Sequence, residues 1–282
     1  MRKIAILSTL GLLLALAATA QKPEIHYLDE AGKIQRGVRC ATADAGHLER
    51  IALQAEATAL DRSLLLKSTV IPVRFHVVHL RDGSGDVSDP RLQDQVAVLN
   101  AAFSGSGFSF TLASIDRTIS KGWYTDCYNQ ESRMKKSLAI DPAHHLNIYT
   151  CSPSGGILGW TYLPWSLPEG DDLHGVVALN ESLPGGGAAP YNEGDNVVHH
   201  VGHYLGLYHT CTGCDGDDEV ADTPACNASF GCAVGIDTCP ADPGLDPVTN
   251  YMGTTDDACM DEFTPGQHTR MQQMVTLYKP SL

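Results

Sequence analysis

Apolar residues recur with the period of an α-helix in three stretches of the chain. The first lies within residues 43–66, the second begins at Pro90, and the third covers residues 265–278. Their apolar positions are Leu48, Ile51, Ala52, Leu53 and Ala59 in the first stretch, Leu92, Val96, Leu99 and Phe103 in the second, and Met271, Met274 and Val275 in the third. Side chains three or four residues apart share one face of a helix. We therefore predict three helices.

Strand patterns lie between these helices. Residues 70–79 and 108–112 alternate β-branched or aromatic residues with other types, and two short apolar runs cover residues 146–149 and 176–179. Such residues favour strands. Residues 183–190 contain three consecutive glycines and predict an open turn. Helices and strands in this arrangement predict an α+β fold.

The first twenty residues have the pattern of a secretory signal peptide. Arg2 and Lys3 precede an apolar run over residues 4–16, and small residues follow up to Ala20. This order predicts cleavage after Ala20. No stretch reaches about 18 consecutive apolar residues, the length that spans a bilayer. We predict a secreted, extracellular protein without a membrane partner.

The charge of the chain argues against nucleic acid as a partner. Its 282 residues include 19 Lys and Arg against 33 Asp and Glu, a formal net charge of −14, whereas binders of phosphate backbones are basic. The 133 residues between Lys136 and Arg270 contain no Lys or Arg and nineteen carboxylates. Two interpretations stay open, namely solvated acidic loops or a cleft that attracts basic substrates.

Nine cysteines follow the predicted signal peptide, and six of them lie within residues 211–259. In an exported protein cysteines pair in disulfides, and an odd number leaves one over. That segment has little apolar periodicity, so disulfides would supply order that a core cannot. Cys211 and Cys214 also match a C-x-x-C redox or zinc motif, but no second pair stands at zinc-ribbon spacing.

Three histidines at fixed spacing carry the most chemical information. His199 and His203 are four residues apart, so on a helix both imidazoles project from one face. Gly206 can adopt positive φ, end the helix and bring His209 to the same point. Three neutral imidazoles with a fourth position open to water are typical of a catalytic zinc ion. The sequence predicts one zinc ion at His199, His203 and His209.

Catalysis depends on the residue after the first histidine. In H-E-x-x-H zinc proteases it is a glutamate that acts as general base, and here it is His200. Three roles are open to its imidazole. It accepts a proton from the attacking water, it points away from the metal, or it binds zinc as a fourth ligand.

The chain resembles the metzincin zinc proteases, and more closely the pappalysin-like secreted metalloproteases of fungi and bacteria. The resemblance includes the H-x-x-x-H-x-x-G-x-x-H motif and runs in order through LNIYT (146–150), GW (159–160), GVV (175–177), SLPGG (182–186), APYN (189–192), DTP (222–224), NYM (250–252) and FTPGQ (263–267). It implies a two-lobed zinc protease domain with a twisted mixed sheet, an active-site helix and an irregular, disulfide-braced C-terminal lobe.

The resemblance also implies roles outside the histidine motif. Met252 would be the methionine of the turn beneath the metal, and a disulfide between Cys232 and Cys259 would brace that turn. Cys40 resembles the pro-segment thiol that occupies the open zinc position of latent family members until the segment is removed. A structural disulfide or an intermolecular bridge is the alternative for Cys40.

The implied domains are a signal peptide (1–20), a pro-segment with a lead-in helix (21–65) and a metzincin-like catalytic domain (66–282). The family pattern is incomplete, because His200 replaces the glutamate, and Gly253 and Thr254 replace the aspartate and tyrosine expected after the turn methionine. Loss of a general base costs about 10²- to 10⁴-fold in rate.

We predict a secreted zinc metalloendopeptidase that acts as a monomer on protein or peptide substrates, with weakened activity. The alternative is an inactive zinc-binding pseudoprotease that binds peptides or inhibitors. Asn180 and Asn227 begin sequons and are glycosylation candidates. The acidic residues Asp215, Asp217, Asp218 and Asp222 are compatible with calcium, although the run is not an EF-hand loop.

Overall fold

The structure is a computed structural model that describes residues 24–29, 31–43, 45–61, 63, 65, 68–215, 218–227 and 231–282. The predicted signal peptide lies outside these ranges. Among the described residues, no helix combines the length and the apolar character that crossing a bilayer requires.

The segment before the main sheet contains more regular structure than the sequence patterns predict. β1 (Glu24–Leu28) and β2 (Ile34–Val38) form an antiparallel hairpin, which α1 (His47–Ala59) follows. The predicted apolar face of α1 is wrong. Leu53 and Ala57 are buried, whereas Leu48 and Ile51 are exposed, because the helix docks by one narrow stripe of residues four positions apart.

A five-stranded mixed sheet forms the centre of the fold. Its strands are β3 (Thr69–His79), β4 (Phe108–Ile119), β5 (Leu146–Cys151), β6 (Gly159–Trp160) and β7 (Val176–Leu179). They lie in the order β4-β3-β5-β7-β6, and only β6 pairs antiparallel with its neighbour. Every residue of β5 and β7 is buried, as is typical of central parallel strands.

Five further helices surround this sheet. They are α2 (Asp89–Ala102), α3 (Lys121–Thr125), α4 (Cys127–Leu138), α5 (Asp195–Tyr204) and α6 (Pro265–Tyr278). The predicted apolar faces of α2 and α6 are both buried, which confirms these two helices. α6 begins at a capping box in which Thr264 and Gln267 bond each other's backbone amides. The sequence patterns missed α3 and α4.

The chain between α5 and α6 has little regular structure and is held by disulfides. Three of the four disulfides lie here, Cys211–Cys226, Cys214–Cys239 and Cys232–Cys259, and the fourth joins Cys127 at the start of α4 to Cys151 in β5. Because Cys211 and Cys214 belong to two different disulfides, the C-x-x-C segment does not bind metal. The Cys232–Cys259 pairing is the one that the resemblance implies.

Candidate metal centre

The local conformation of α5 and the turn after it directs three histidines to one point. All ten residues of α5 are buried. Gly206 has φ of 105°, a conformation that glycine adopts without strain, and its amide donates to the carbonyl of His203 at 2.9 Å. A Cβ at this position would lie 2.5 Å from Met274 side-chain atoms. The turn therefore needs glycine, and it brings His209 back towards the helix.

The imidazole nitrogens have the spacing of a tetrahedral metal site. His203 Nε2 lies 3.1 Å from His199 Nε2 and 3.2 Å from His209 Nε2. The Cys40 Sγ atom lies 3.5 Å from His203 Nε2, and the ligand atoms of all four residues are within 4.8 Å of one another. Tetrahedral zinc with ordinary bond lengths requires N···N separations of about 3.3 Å and S···N separations of about 3.6 Å. The donor set fits zinc.

Hydrogen bonds orient the imidazoles for metal binding. His199 Nδ1 donates to the carbonyl of Tyr251 at 2.7 Å, and His203 Nδ1 donates to the carbonyl of Leu207 at 2.8 Å. A carbonyl oxygen only accepts, so the proton lies on Nδ1 and the Nε2 lone pair is available. Burial lowers the pKa of His199 well below its usual range and lowers that of His203. Both imidazoles are therefore neutral.

Met252 lies directly beneath α5. A Cβ at Gly202 would be 2.5 Å from the Met252 sulfur, so the helix and the turn pack in contact there. The turn is fixed by Asn250, which accepts from the Met252 amide at 2.9 Å and exchanges two hydrogen bonds with Gln267 of α6. Sequence reasoning missed this pair of amides, although the NYM and FTPGQ segments both stood out.

Cys40 is buried and lies outside the four disulfides, which use all the other cysteines. Burial alone would raise the pKa of its thiol. The imidazoles of His200, His203 and His209 and a hydrogen bond with His199 outweigh burial and hold the pKa well below its usual range. A thiolate is the form that binds zinc.

The segment around Cys40 pairs with the edge of the main sheet. The Leu158 amide donates to the Val38 carbonyl at 3.0 Å, and the Ala41 amide donates to the Gly159 carbonyl at 2.9 Å. The Thr161 amide then donates to the Thr42 hydroxyl at 3.2 Å. These bonds run alongside β6 and hold Cys40 over the histidine cluster.

Arg39 forms a buried network of contacts that sequence reasoning missed. Its side chain is 1% exposed and donates to Asp257 Oδ1 at 2.9 Å, to the carbonyl of Thr255 and to the Met260 sulfur at 3.3 Å. The guanidinium carbon lies 5.0 Å from the centroid of the Tyr191 ring. No local sequence signal marks Arg39, because all these partners are distant along the chain.

His200 is fully buried but does not belong to the four-residue metal cluster. Its Nδ1 donates to the carbonyl of Asn196 at 2.6 Å, so Nε2 carries a lone pair. Nε2 has no hydrogen-bond partner among the described protein atoms. The ring packs against Gly159, where a Cβ would lie 2.9 Å from His200 Cε1. Its ring centroid is 5.2 Å from that of His199.

The other candidate residues lie away from this centre. Asn180 is 1% exposed and donates to Glu181, and this burial counts against a glycan there, whereas Asn227 is exposed. Two of the acidic residues considered for calcium form bonds within the chain. Asp218 accepts from the Thr223 hydroxyl, and Asp222 accepts from the Thr264 hydroxyl and the Gly266 amide at the start of α6.

Comparison with known proteins identifies related sequences. Residues 126–276 match the family described as pregnancy-associated plasma protein-A, a peptidase family. An extracellular metalloprotease of Podospora anserina is 39% identical over 228 residues, which cover 77% of this chain and 77% of the relative. An extracellular metalloprotease of Verticillium alfalfae is 38% identical over 277 residues, which cover 93% of this chain and 96% of the relative.

Solved structures with the same fold come from Tannerella forsythia. A promirolysin mutant is 26% identical with a TM-score of 0.73, over 82% of this chain and 88% of promirolysin. Mature mirolysin in complex with a cleaved peptide is 27% identical with a TM-score of 0.67, over 76% of this chain and 98% of mirolysin. These similarities confirm the α+β protease fold expected from the sequence.

Proposed function

The chain belongs to the pappalysin family of extracellular metalloproteases, the family of pregnancy-associated plasma protein-A, and from this premise we propose that it is a secreted zinc endopeptidase made as a latent precursor. In this proposal residues 1–20 are a signal peptide, residues 21–65 are the pro-segment with its helix, and residues 66–282 are the catalytic domain. The mature protein acts as a monomer on proteins or peptides.

The spacing of the ligand atoms carries the proposal. His199, His203 and His209 supply three neutral nitrogens at tetrahedral spacing, with two of the rings held by carbonyl hydrogen bonds. When bound, zinc polarises the scissile carbonyl and lowers the pKa of water at the site. The three histidines hold the metal, and Met252 supports the helix from below.

His200 is the proposed general base. Its hydrogen bond to Asn196 fixes the tautomer with the lone pair on Nε2, and that atom has no protein partner among the described residues. A neutral imidazole accepts a proton near neutral pH. Because the ring is confined against Gly159, it acts from a fixed position. Relative to a glutamate we expect a lower rate.

Cys40 is the proposed zinc ligand of the precursor. Its sulfur lies at ligand distance from His203, and its low thiol pKa favours the thiolate. Bound there, the thiolate takes the position that water needs for attack. Removal of the pro-segment after Cys40 therefore converts the latent form into the active form, and Cys40→Ala is expected to weaken latency.

The contacts of Arg39 support a preference for basic residues next to the scissile bond. Arg39 precedes Cys40. Its guanidinium forms an ion pair with the buried Asp257 carboxylate and packs over the Tyr191 ring. Once the pro-segment leaves, the same groups can receive an Arg or Lys side chain of a substrate. The long stretch without basic residues adds a negative potential around this cleft.

One observation favours the alternative of a binding protein without turnover. The base position holds a histidine and the residues after the turn methionine are Gly253 and Thr254, so two groups expected to assist catalysis are absent. Such a protein would still bind zinc and peptides in the same cleft.

A casein assay on protein trimmed after Cys40 separates the two functions. Hydrolysis that a zinc chelator abolishes and added zinc restores supports the endopeptidase. Zinc binding at one ion per chain with peptide binding but no hydrolysis supports the binding protein. Absence of zinc from both the precursor and the trimmed form would contradict both.

A further inference from the structure

A buried lysine at the end of α6 lacks the oxygen partners that would neutralise it. Lys279 is the residue that follows the helix, its side chain is fully buried, and Nζ has no hydrogen-bond partner among the described protein atoms. Nζ lies 4.6 Å from the centroid of the Tyr204 ring, at the end of α5. An unpaired charge in a protein interior is unfavourable. Burial lowers the pKa of Lys279 to about 8, so the ammonium persists at neutral pH and a nearby anion would stabilise it.

Lys135 shows how the same fold satisfies a buried ammonium. Its side chain is equally buried, and Nζ lies 2.8 Å from Glu131 Oε1, 2.8 Å from the Leu173 carbonyl and 2.9 Å from the Gly175 carbonyl. Three oxygens thus accept its three N–H groups. Glu169, whose charge acts on Lys279, bonds instead to the amide and hydroxyl of Ser281.

Two more polar groups around Lys279 are buried without a partner in the described part of the chain. They are the Tyr204 hydroxyl and His174 Nδ1, from rings 6.3 Å apart in edge-to-face contact. His174 Nε2 lies 3.3 Å from the Leu167 carbonyl and carries the proton. Burial and then the charge of Lys279 lower the pKa of His174 to about 4. The ring is neutral, and the ammonium is the only charge of the three.

We propose that Lys279 and Tyr204 hold one small inorganic anion of halide size, chloride in most biological fluids, in the interior between α5, α6 and the loop before β7. The ammonium supplies charge and N–H donors, and the Tyr204 hydroxyl donates a further hydrogen bond. Lys279, Tyr204 and His174 are each at most 1% exposed, so the ion would be enclosed by protein. The anion links the last residue of the zinc-binding helix to the C-terminal helix.

Thermal unfolding of the full chain tests the site, because a ligand of the folded state raises the Tm as its concentration rises. At constant ionic strength, replacement of gluconate by chloride or bromide is expected to raise the Tm by several degrees and to saturate. Lys279→Met is expected to abolish this dependence. Tyr204→Phe should need about tenfold more chloride, the effect of one lost hydrogen bond to a charged group. Lys135→Met is the matched control and should keep the chloride dependence.

Crystals soaked in bromide give a readout that needs no variant. An anomalous peak within hydrogen-bond distance of Lys279 Nζ is expected. A Tm that is the same in chloride and gluconate, together with no peak at this position, would overturn the proposal. An undiminished chloride dependence in Lys279→Met would overturn it as well, because the anion would then bind elsewhere.

Discussion

The Arg39 guanidinium donates to Asp257 Oδ1 at 2.9 Å, and this buried ion pair joins residues 218 positions apart in the chain. Asp257 Oδ2 accepts from the amide of Glu193, just before α5. One carboxylate therefore connects the N-terminal segment to the start of α5, the helix that contains His199 and His203. If the segment is removed as proposed, its release breaks this pair as well as the contacts of Cys40.

Arg39→Ala is expected to loosen the latent form. Removing one partner of a buried ion pair is destabilising by about 3–5 kcal/mol, so the variant precursor should have a lower Tm and a higher residual activity on casein. The trimmed enzyme no longer contains Arg39 and should be the same from both precursors. Equal residual activity in the two precursors would show that the pair does not contribute to latency.

His203→Ala is expected to remove most of the bound zinc. His203 Nε2 lies within 3.5 Å of the Nε2 atoms of His199 and His209 and of Cys40 Sγ. A three-histidine site that loses one imidazole binds metal far more weakly. Metal analysis of purified protein measures the effect. His144→Ala, which removes an exposed histidine paired with Asp141, is the matched control. Unchanged zinc content in His203→Ala would contradict the ligand assignment.

His200→Glu is expected to raise kcat, by less than the roughly 10²- to 10⁴-fold that complete loss of a general base costs, because it replaces a weaker base by the one that such motifs carry. His200→Ala is expected to lower the remaining activity and to keep zinc. His200→Gln fills the same space without a base, so it distinguishes proton transfer from packing. If His200→Ala and the unmodified enzyme have the same kcat and pH profile, His200 is not the base.

Cleavage of a mixed peptide library measures the preference for basic residues. Arg or Lys is expected to be enriched next to the bonds that the trimmed enzyme cleaves. In Asp257→Asn this enrichment should be about tenfold lower, because a close charge pair contributes about 1 kcal/mol or more. Added salt should weaken the preference of the unmodified enzyme. Glu181→Gln removes an acid elsewhere in the same half of the chain and serves as control. No enrichment of basic residues would contradict this use of Asp257.

The sequence was sufficient where the structure depends on neighbouring positions. The buried faces of α2 and α6 and the convergence of the three histidines all follow from spacing within about ten residues. The apolar face of α1 could not be predicted, because Leu48 and Ile51 match the helical period yet stay exposed. Which side of a marginally apolar helix is buried depends on the surface where it docks.

Contacts between residues far apart in the chain could not be predicted either, because they also depend on distant parts of the fold. Nothing near Arg39 indicates that its partner is Asp257, and nothing near Lys279 indicates that a lysine after a helix is buried. The spacing of the six cysteines within residues 211–259 does not fix their connectivity either. Only the Cys232–Cys259 pairing had a basis, and that basis was the family resemblance.

Asp195 should make the stability of the protein depend on pH. This residue at the start of α5 is buried, and its burial, with the charge of Asp257, raises its pKa to about 7. An aspartate with a raised pKa in the folded state favours folding while it is protonated, so its contribution is complete below about pH 4. That contribution is lost as the pH rises towards 7, because ionising the buried group is unfavourable.

Asp195→Asn removes the ionisation and keeps the shape. We expect the variant to have a Tm about 5 °C above that of the unmodified protein at pH 8 and a much smaller difference at pH 5. Glu193→Gln, which removes an exposed carboxylate two residues earlier, should change the Tm by about the same small amount at both pH values. Calorimetry of the three proteins at both pH values measures these differences.

A Tm difference for Asp195→Asn that is equal at the two pH values, or larger at pH 5, would mean that Asp195 is ionised in the folded protein throughout this range. The carboxylate would then be stabilised at the helix N-terminus in spite of its burial.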